Sequence, residues 1–257
     1  MLEIDQLLSR AIEAAELACK PILEVYHSGN FAEEVKKDNS PLTLADKRSH
    51  DVIVKQLGSL GIPILSEEGK SIPFAERKDW EYFWMVDPLD GTKEFLKQIG
   101  EFTVNIALIQ RDKPILGVVA VPVTGEVYYA TRAGGAFLMS NGRIRSLPRK
   151  APIDFSDTGL RVVASRSHMD AATQAFVGRL KNPSLVSIGS SLKFMLIADG
   201  QADVYPRFAP TMEWDTAAAH AITDEVGAAP CSFGAGMPLS YNKMSLVNPG
   251  FWCAPHR

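Results

Sequence analysis

Residues 82–96 read YFWMVDPLDGTKEFL. The first five, Tyr82 to Val86, are aromatic or apolar and short, which is the pattern of a buried strand. That strand delivers Asp87-Pro88-Leu89-Asp90-Gly91-Thr92. The continuation, Gly91 to Leu96, reads as the first turn of a helix, whose free backbone N–H groups and dipole favour an anion. Two acids therefore stand between the end of a buried strand and a helix start.

The same placement recurs along the chain. Glu67 follows the apolar Ile62–Leu65, read as a second short strand, and is part of Ser66-Glu67-Glu68-Gly69. Trp214-Asp215 opens an Ala-rich helix expected over Asp215–Val226. Taken singly, each acid has an ordinary reading: Asp215 as a helix cap, Asp87-Pro88 as the start of a turn. Together they are harder to dismiss, because each sits beside residues that favour burial, where an unpaired carboxylate is costly. Two carboxylates about 5 Å apart repel by roughly 3 kcal/mol at an effective dielectric near 20. Gathering several therefore calls for cations, and oxygen ligands without His or Cys favour Mg²⁺ over zinc or copper. Acids that bind metal, set directly before a helix start that binds phosphate, specify a phosphoryl site. Haloacid-dehalogenase phosphatases also place Asp ahead of Gly-Thr, but their two aspartates are one residue apart. Here Pro88 and Leu89 both intervene, which discards a phospho-aspartate mechanism in favour of metal-activated water.

The rest of the chain frames these motifs. Apolar residues at 4, 7, 8, 11, 12, 15, 18, 22, 23 and 26 have helical spacing, with Pro21 a candidate kink and Gly29 a stop. A second helix is expected over Ala45–Leu57, after the turn-like Asn39-Ser40-Pro41. Phe102 to Leu147 is β-rich, with hairpin turns at Thr124-Gly125 and Asn141-Gly142 and a break at Gly134-Gly135. Beyond Lys150, strands (Arg161–Ala164, Leu185–Ile188, Ala202–Tyr205) alternate with helices (Ala171–Leu180, Leu192–Ala198, then 215–226). This is the texture of a sheet with helices on its faces. The reading gives an N-terminal α+β half, residues 1–150, and a C-terminal α/β half, residues 151–257.

Composition narrows the class. With 46% hydrophobic and 22% charged residues the chain can bury a core, so it is not intrinsically disordered. Against 30 Asp+Glu it has 27 Lys+Arg, a net charge of −3, which leaves no basic excess for a nucleic-acid polymer. No apolar run approaches the roughly 20 residues that span a bilayer, and MLEIDQLL has no basic start ahead of an apolar block, so no secretory signal is expected. Cys19, Cys231 and Cys253 form neither a CxxC pair nor a disulfide framework, which makes a reducing cytoplasm the default. Cys19 lies in a helical pattern and reads as core. Cys231, followed by SFGAGM, lacks the arginine of a cysteine-phosphatase loop.

The ordered set Asp46, Ser66-Glu67-Glu68, Asp87-Pro88-Leu89-Asp90-Gly91-Thr92 and Trp214-Asp215-Thr216-Ala217-Ala218 resembles the motifs of the lithium-sensitive, Mg²⁺-dependent phosphatases. That superfamily includes inositol monophosphatases, fructose-1,6-bisphosphatases and bisphosphate nucleotidases. The resemblance implies a layered α/β/α/β/α sandwich. Within the superfamily, the chain is similar to the bacterial branch of 3′(2′),5′-bisphosphate nucleotidases. Lys93-Glu94-Phe95 follows Gly91-Thr92 where inositol monophosphatases place a small polar pair and Phe. Gly100 to Ile106, Ser165-Arg166-Ser167-His168 and Gly189 to Phe194 match the nucleotidase pattern.

The resemblance implies Mg²⁺, two or three ions, held by Glu67, Asp87, Asp90, Asp215 and the Leu89 carbonyl. It assigns Thr92 and Asp46 to orienting a water and accepting its proton, a task Glu67 shares in a proportion left open. Gly91 and Thr92 N–H groups would hold phosphoryl oxygens. Lys93, Ser190, Lys193, Arg207 and Asp215 would face the substrate, with Ser190 and Lys193 presenting a hydroxyl and a cation to a second phosphate and His168 lying against a purine. Bland readings stand beside these: Lys193 and Arg207 as solvated charges, His168 as a turn residue. The implied reaction is hydrolysis of the 3′-phosphate of adenosine 3′,5′-bisphosphate to AMP and phosphate, and of 3′-phosphoadenylyl sulfate to adenylyl sulfate. The alternatives are an inositol-phosphate or sugar-phosphate phosphatase with the same metal chemistry, and an inactive nucleotide-binding regulator. The expected partner is a small nucleotide. A cytoplasmic location is expected, with weak peripheral attachment to the inner face of the bacterial inner membrane left open, as is the choice between monomer and homodimer.

Overall fold

The N-terminal periodicity produces α1, Ile4–Ser28, which buries Leu7, Ala11, Ala14, Ala15, Ala18, Ile22 and Val25 along one stripe and ends at Gly29. Pro21 is accommodated inside the helix. The computed structural model describes residues 3–31, 34–35, 41–164 and 169–256. After a short antiparallel pair, β1 (Glu34–Val35) and β2 (Pro41–Leu42), α2 covers Leu44–Gly58. The expected turn at Asn39–Pro41 falls partly outside the described residues, and Pro41 itself lies in β2. Thr43 caps α2: its Oγ1 accepts from the Ala45 and Asp46 N–H groups, and Asp46 Oδ2 accepts from the Thr43 N–H at 2.8 Å. This reciprocal box satisfies donors that a helix start leaves orphaned.

The central element is one seven-stranded sheet in chain order. It comprises β3 (Ile64–Ser66), then, beyond the short α3 (Phe74–Arg77), β4 (Tyr82–Asp90), and beyond α4 (Thr92–Leu96), β5 (Thr103–Gln110). It continues through β6 (Lys113–Val121), β7 (Glu126–Thr131), β8 (Gly135–Ser140) and β9 (Arg143–Leu147). β3 is parallel to β4; all later neighbours are antiparallel. Alternate residues serve two cores. Trp84, Val86, Ile106, Leu108 and Val118 pack toward α1 and α2, and Phe83, Met85, Ala107, Ile109 and Val119 pack toward the helices of the C-terminal half. Burial on both faces explains why these strands read as continuous apolar runs.

The C-terminal half supplies β10 (Arg161–Ala164), α5 (Ala171–Val177), β11 (Ser184–Ser187), α6 (Leu192–Asp199) and β12 (Tyr205–Arg207). A 3₁₀ turn at Glu213–Asp215 precedes α7 (Ala217–Glu225), and β13 (Cys231–Ser232) and β14 (Phe251–Cys253) complete it. α6 and α7 cover the second face of the large sheet. Beneath them β10 pairs with β11, and β12, β14 and β13 form a small antiparallel sheet. A bridge between Val162 and Val204 and a bidentate Arg161–Asp203 pair join these two pieces. Phe176 and Val177 of α5 pack outside Val162 and Val204. The layers are therefore α1–α2, large sheet, α6–α7, small sheets and α5: the expected α/β/α/β/α sandwich. Among the described residues no helix is long and apolar enough to cross a membrane.

Three differences from the sequence reading bear on the site. β4 does not stop at Val86 but continues to Asp90, with a bulge between Asp87, opposite Asn105, and Asp90, opposite Thr103. Pro88 has no N–H to offer a ladder, and a bulge is where a strand tolerates that. The strand expected at 202–205 lies at Tyr205–Arg207. The helix expected from Asp215 begins at Ala217, because Glu213–Asp215 is wound as 3₁₀.

α7 lies unusually close to β6. A Cβ on Gly117 would stand 2.2 Å from the Ala218 carbonyl oxygen and 2.8 Å from the Ala221 methyl, and neither atom has a rotamer to escape into. Gly117→Val is expected to destabilise the fold by about 3 kcal/mol or more. Urea unfolding that left the midpoint unchanged would show that the two layers can separate freely.

Candidate active site

The bulge in β4 decides where the acids go. Because β3 runs parallel to β4, the Glu67 N–H donates to the Val86 carbonyl at 3.0 Å, which seats Glu67 beside the end of the strand. Asp87 is 1% exposed and its Oδ1 accepts from the Leu89 N–H at 3.0 Å. Ser49 of α2 donates to the Pro88 carbonyl at 2.7 Å, pinning the bulge.

Asp90 is held from the opposite half of the chain. Its Oδ2 lies 2.7 Å from Ser190 Oγ, 2.6 Å from the Ser191 N–H nitrogen and 2.8 Å from Ser191 Oγ. Ser191 Oγ also lies 3.0 Å from the Asp215 carbonyl oxygen, so one serine joins the two acid-bearing segments. On the other side, Asn105 Nδ2 donates to Ser191 Oγ at 2.9 Å, and Thr103 Oγ1 lies 2.7 Å from Ser190 Oγ. Asp215 is fixed by the Met212 N–H, which donates to its Oδ2 at 2.8 Å; it does not cap α7, which has no side-chain cap.

Thr92 and Asp46 meet as expected. Thr92 Oγ1 lies 3.4 Å from Asp46 Oδ1 and 3.3 Å from the Leu89 carbonyl oxygen. Asp46 is thus shared between two tasks, one oxygen closing the α2 cap and the other facing Thr92. Gly91 makes the approach possible. At φ +92° it turns α4 toward the pocket, and a Cβ there would stand 2.9 Å from the Glu101 carbonyl oxygen.

The acids repel one another. Burial, then repulsion from Glu67, Asp90 and Asp215, raises the Asp87 carboxyl well above the usual range; the Leu89 N–H opposes this. Burial and Asp90 do the same to Asp215, with the Met212 N–H and Arg207 opposing. Among the described residues no three His, Cys, Asp or Glu side chains already stand as a metal-holding cluster. The acids are near enough to repel one another without being drawn into a cage, and Asp90 turns one oxygen to the serines. This donor set, hard oxygen only, fits a divalent cation such as Mg²⁺.

Basic residues stand beside the acids. A cavity of about 480 Å³ is lined by Asp90, Gly91, Glu94 and Asp215 together with Lys93, Lys97, Lys193 and Arg207. Lys193 Nζ donates to the Ser190 carbonyl at 3.2 Å and Arg207 Nε to the Ala209 carbonyl at 3.2 Å. Burial lowers the Lys193 ammonium pKa, with Asp90 opposing. Ser190, which also lines the cavity, places its hydroxyl 2.7 Å from Asp90 Oδ2 and 2.7 Å from Thr103 Oγ1. His168, with Ser165 to Ser167, lies outside the described residues.

Ser191, Asn105 and Thr103 were not singled out from sequence. The available signal was the polar pair Thr103 and Asn105 inside an otherwise apolar strand, since buried polar groups need partners.

The sequence profile of the inositol monophosphatase family matches residues 3–252. The chain is 44% identical over 252 residues to the 3′(2′),5′-bisphosphate nucleotidase CysQ of Escherichia coli K12, covering 95% of this chain and 98% of that protein. Its fold is similar to the crystal structure of CysQ from Bacteroides thetaiotaomicron, with a TM-score of 0.87, 42% identity and 98% of each chain covered. It is also similar to the IMPase of Thermotoga maritima, with a TM-score of 0.77 at 21% identity over 98% of this chain and 92% of that one. The last likeness concerns fold alone.

Proposed function

Because the chain belongs to the inositol monophosphatase family, we propose that it is a phosphoric monoester hydrolase acting as a metal-dependent 3′(2′),5′-bisphosphate nucleotidase. It removes the 3′-phosphate of adenosine 3′,5′-bisphosphate, giving AMP and phosphate, and the same group from 3′-phosphoadenylyl sulfate, giving adenylyl sulfate. The observation that carries this reading is the mixed lining of the cavity. Asp90 and Asp215 share it with Lys93, Lys193 and Arg207, which suits a ligand with one phosphate to be cleaved and another to be held.

Glu67, Asp87, Asp90, Asp215 and the Leu89 carbonyl would hold Mg²⁺, two or three ions in all. Bound there, such ions lower the pKa of water and offset the charge of the phosphoryl group. The remaining work belongs to the chain. Thr92 orients the attacking water and passes its proton toward Asp46 Oδ1, with Glu67 sharing the base role. The N–H groups of Gly91 and Thr92 hold phosphoryl oxygens as charge redistributes. Lys193 and Arg207 hold the second phosphate by charge-assisted hydrogen bonds, with Lys93 beside them and His168 on the base side. In this reading residues 1–150 supply most of the ion-holding acids, and residues 151–257 supply Asp215 and the nucleotide side.

The test is a substrate panel in saturating Mg²⁺. Catalytic efficiency on adenosine 3′,5′-bisphosphate is expected to exceed that on inositol 1-phosphate and fructose 1,6-bisphosphate. The reverse order would make the protein an inositol-phosphate or sugar-phosphate phosphatase, and nucleotide binding without phosphate release would make it a regulator. Lys193→Ala is expected to lower kcat/KM on the bisphosphate about 10–100-fold, the worth of one hydrogen bond to a charged group. It should affect a simple monoester much less. Equal losses on both would remove Lys193 from the second phosphate.

A further inference from the structure

Two residues before Asp215 lies a second acid, fully buried, that the proposed chemistry does not use. Glu213 is 0% exposed. Its Oε2 accepts from the Asn242 N–H at 2.6 Å, and its Oε1 accepts from the Lys243 N–H at 3.0 Å and from Lys243 Nζ at 2.7 Å. The backbone repeats the attachment: the Glu213 N–H donates to the Leu246 carbonyl at 2.8 Å, and Met212 bridges to Val247.

The loop that receives Glu213 is itself tied to the segment that precedes β4. Arg77, 2% exposed, donates through Nη1 to Asn242 Oδ1 at 2.7 Å, and the Asn242 amide returns a bond to the Arg77 carbonyl at 2.8 Å. Arg77 ends α3, on the segment between Glu67 at the end of β3 and the acids of β4. A continuous set of charged and backbone bonds therefore runs from the turn bearing Asp215, through residues 242 and 243, to the segment that follows Glu67. Without a cation these acids repel one another, and their spacing has to be imposed from behind.

We infer that Glu213 is a positioning residue, which with Lys243 and Arg77 holds Asp215 at a fixed place relative to Glu67 and Asp87 and so sets the affinity of the acid cluster for Mg²⁺. The inference rests on the proposed role of Asp215 as an ion-holding residue. Groups that orient metal ligands from behind typically cost about 10–100-fold in metal affinity when removed. Glu213 has the features of such a group: complete burial, three donors, and a position two residues from Asp215 but outside the lining of the substrate cavity.

The experiment is Mg²⁺ titration calorimetry on the full chain stripped of metal, with amide hydrogen exchange at residues 211–217. Glu213→Gln is expected to weaken Mg²⁺ binding about 10–100-fold and to speed exchange across the turn. Nucleotide KM in saturating Mg²⁺ should stay close to wild type. Lys243→Met, which leaves Glu213 its two backbone donors, gives a milder loss and serves if the first variant does not fold; Lys243→Arg restores binding. Asp215→Asn runs in parallel. Wild-type Mg²⁺ affinity in folded Glu213→Gln or Lys243→Met, alongside weakened binding in Asp215→Asn, overturns the positioning role alone. Unchanged binding in Asp215→Asn overturns the assignment of Asp215, and this inference with it.

Discussion

Asp90→Asn is expected to lower Mg²⁺-dependent phosphate release by about 10³-fold or more, roughly 4 kcal/mol of transition-state stabilisation, while the protein stays folded. The two halves of this result have separate causes. Asp90 Oδ2 takes its donors from Ser190 and Ser191, whereas Oδ1 has no hydrogen bond among the described residues. Asparagine has one acceptor oxygen, which can still receive the serine donors, so the join between the β4 bulge and the Gly189–Ser191 segment survives. What replaces Oδ1 is an amide NH₂, which repels a cation instead of binding it. Phosphate release measured across a Mg²⁺ series, with circular dichroism and thermal melting as the check on folding, decides the matter. A folded variant with wild-type rates would take Asp90 out of the metal site.

The placement of Glu67, Asp87 and Asp90 was legible because these acids stand at the ends of apolar runs that read as buried strands. Val86 announced that Asp87 would be buried, and the spacing of Asp87 and Asp90 fixed the chemistry. The register that makes the site work was not legible. Whether β4 continues past Pro88 depends on its pairing with β5, where Asn105 and Thr103 set the bulge, and pairing partners leave no local periodicity. The same limit hid Ser191. Its neighbour Ser190 stands beside Lys193, yet both serines hydrogen-bond to Asp90, because a carboxylate is a stronger acceptor than a neutral oxygen. Thr43 was a different kind of omission. Thr43 and Asp46 stand at capping-box spacing, so Asp46 has a second task at the start of α2 that its place in an acid motif does not reveal. Glu213 was hidden in plain view beside Trp214-Asp215, since nothing in a sequence separates an acid that binds from one that braces.

Asp87→Asn is expected to do what most active-site substitutions do not: it should make the metal-free protein more stable. Asp87 is buried against Glu67, Asp90 and Asp215, and its carboxyl is raised well above the usual range by that burial and repulsion. In the folded protein the group holds its proton to a higher pH than in the unfolded chain, where it titrates near 3.9. Between those two pKa values the folded state binds more protons, so stability falls as pH rises through the window and stays low above it. Asparagine carries no charge to repel and keeps an oxygen for the Leu89 N–H, which lies 3.0 Å from Asp87 Oδ1. The expected gain in chelator at pH 8 is about 1–2 kcal/mol, shrinking as pH falls toward the ordinary carboxylate range. Asp215 shares the same repulsion, so some pH dependence survives in the variant. Mg²⁺ reverses the ranking, because an ion that binds the folded state adds stability that grows with the logarithm of its concentration over Kd, and the variant has lost a ligand. Thermal melts of both proteins at pH 5 and pH 8, each with chelator and then with excess Mg²⁺, measure all of this in one series. A variant less stable than wild type in chelator at pH 8 would mean that the acids are already neutralised by the chain itself, and that no cation is needed to hold this site together.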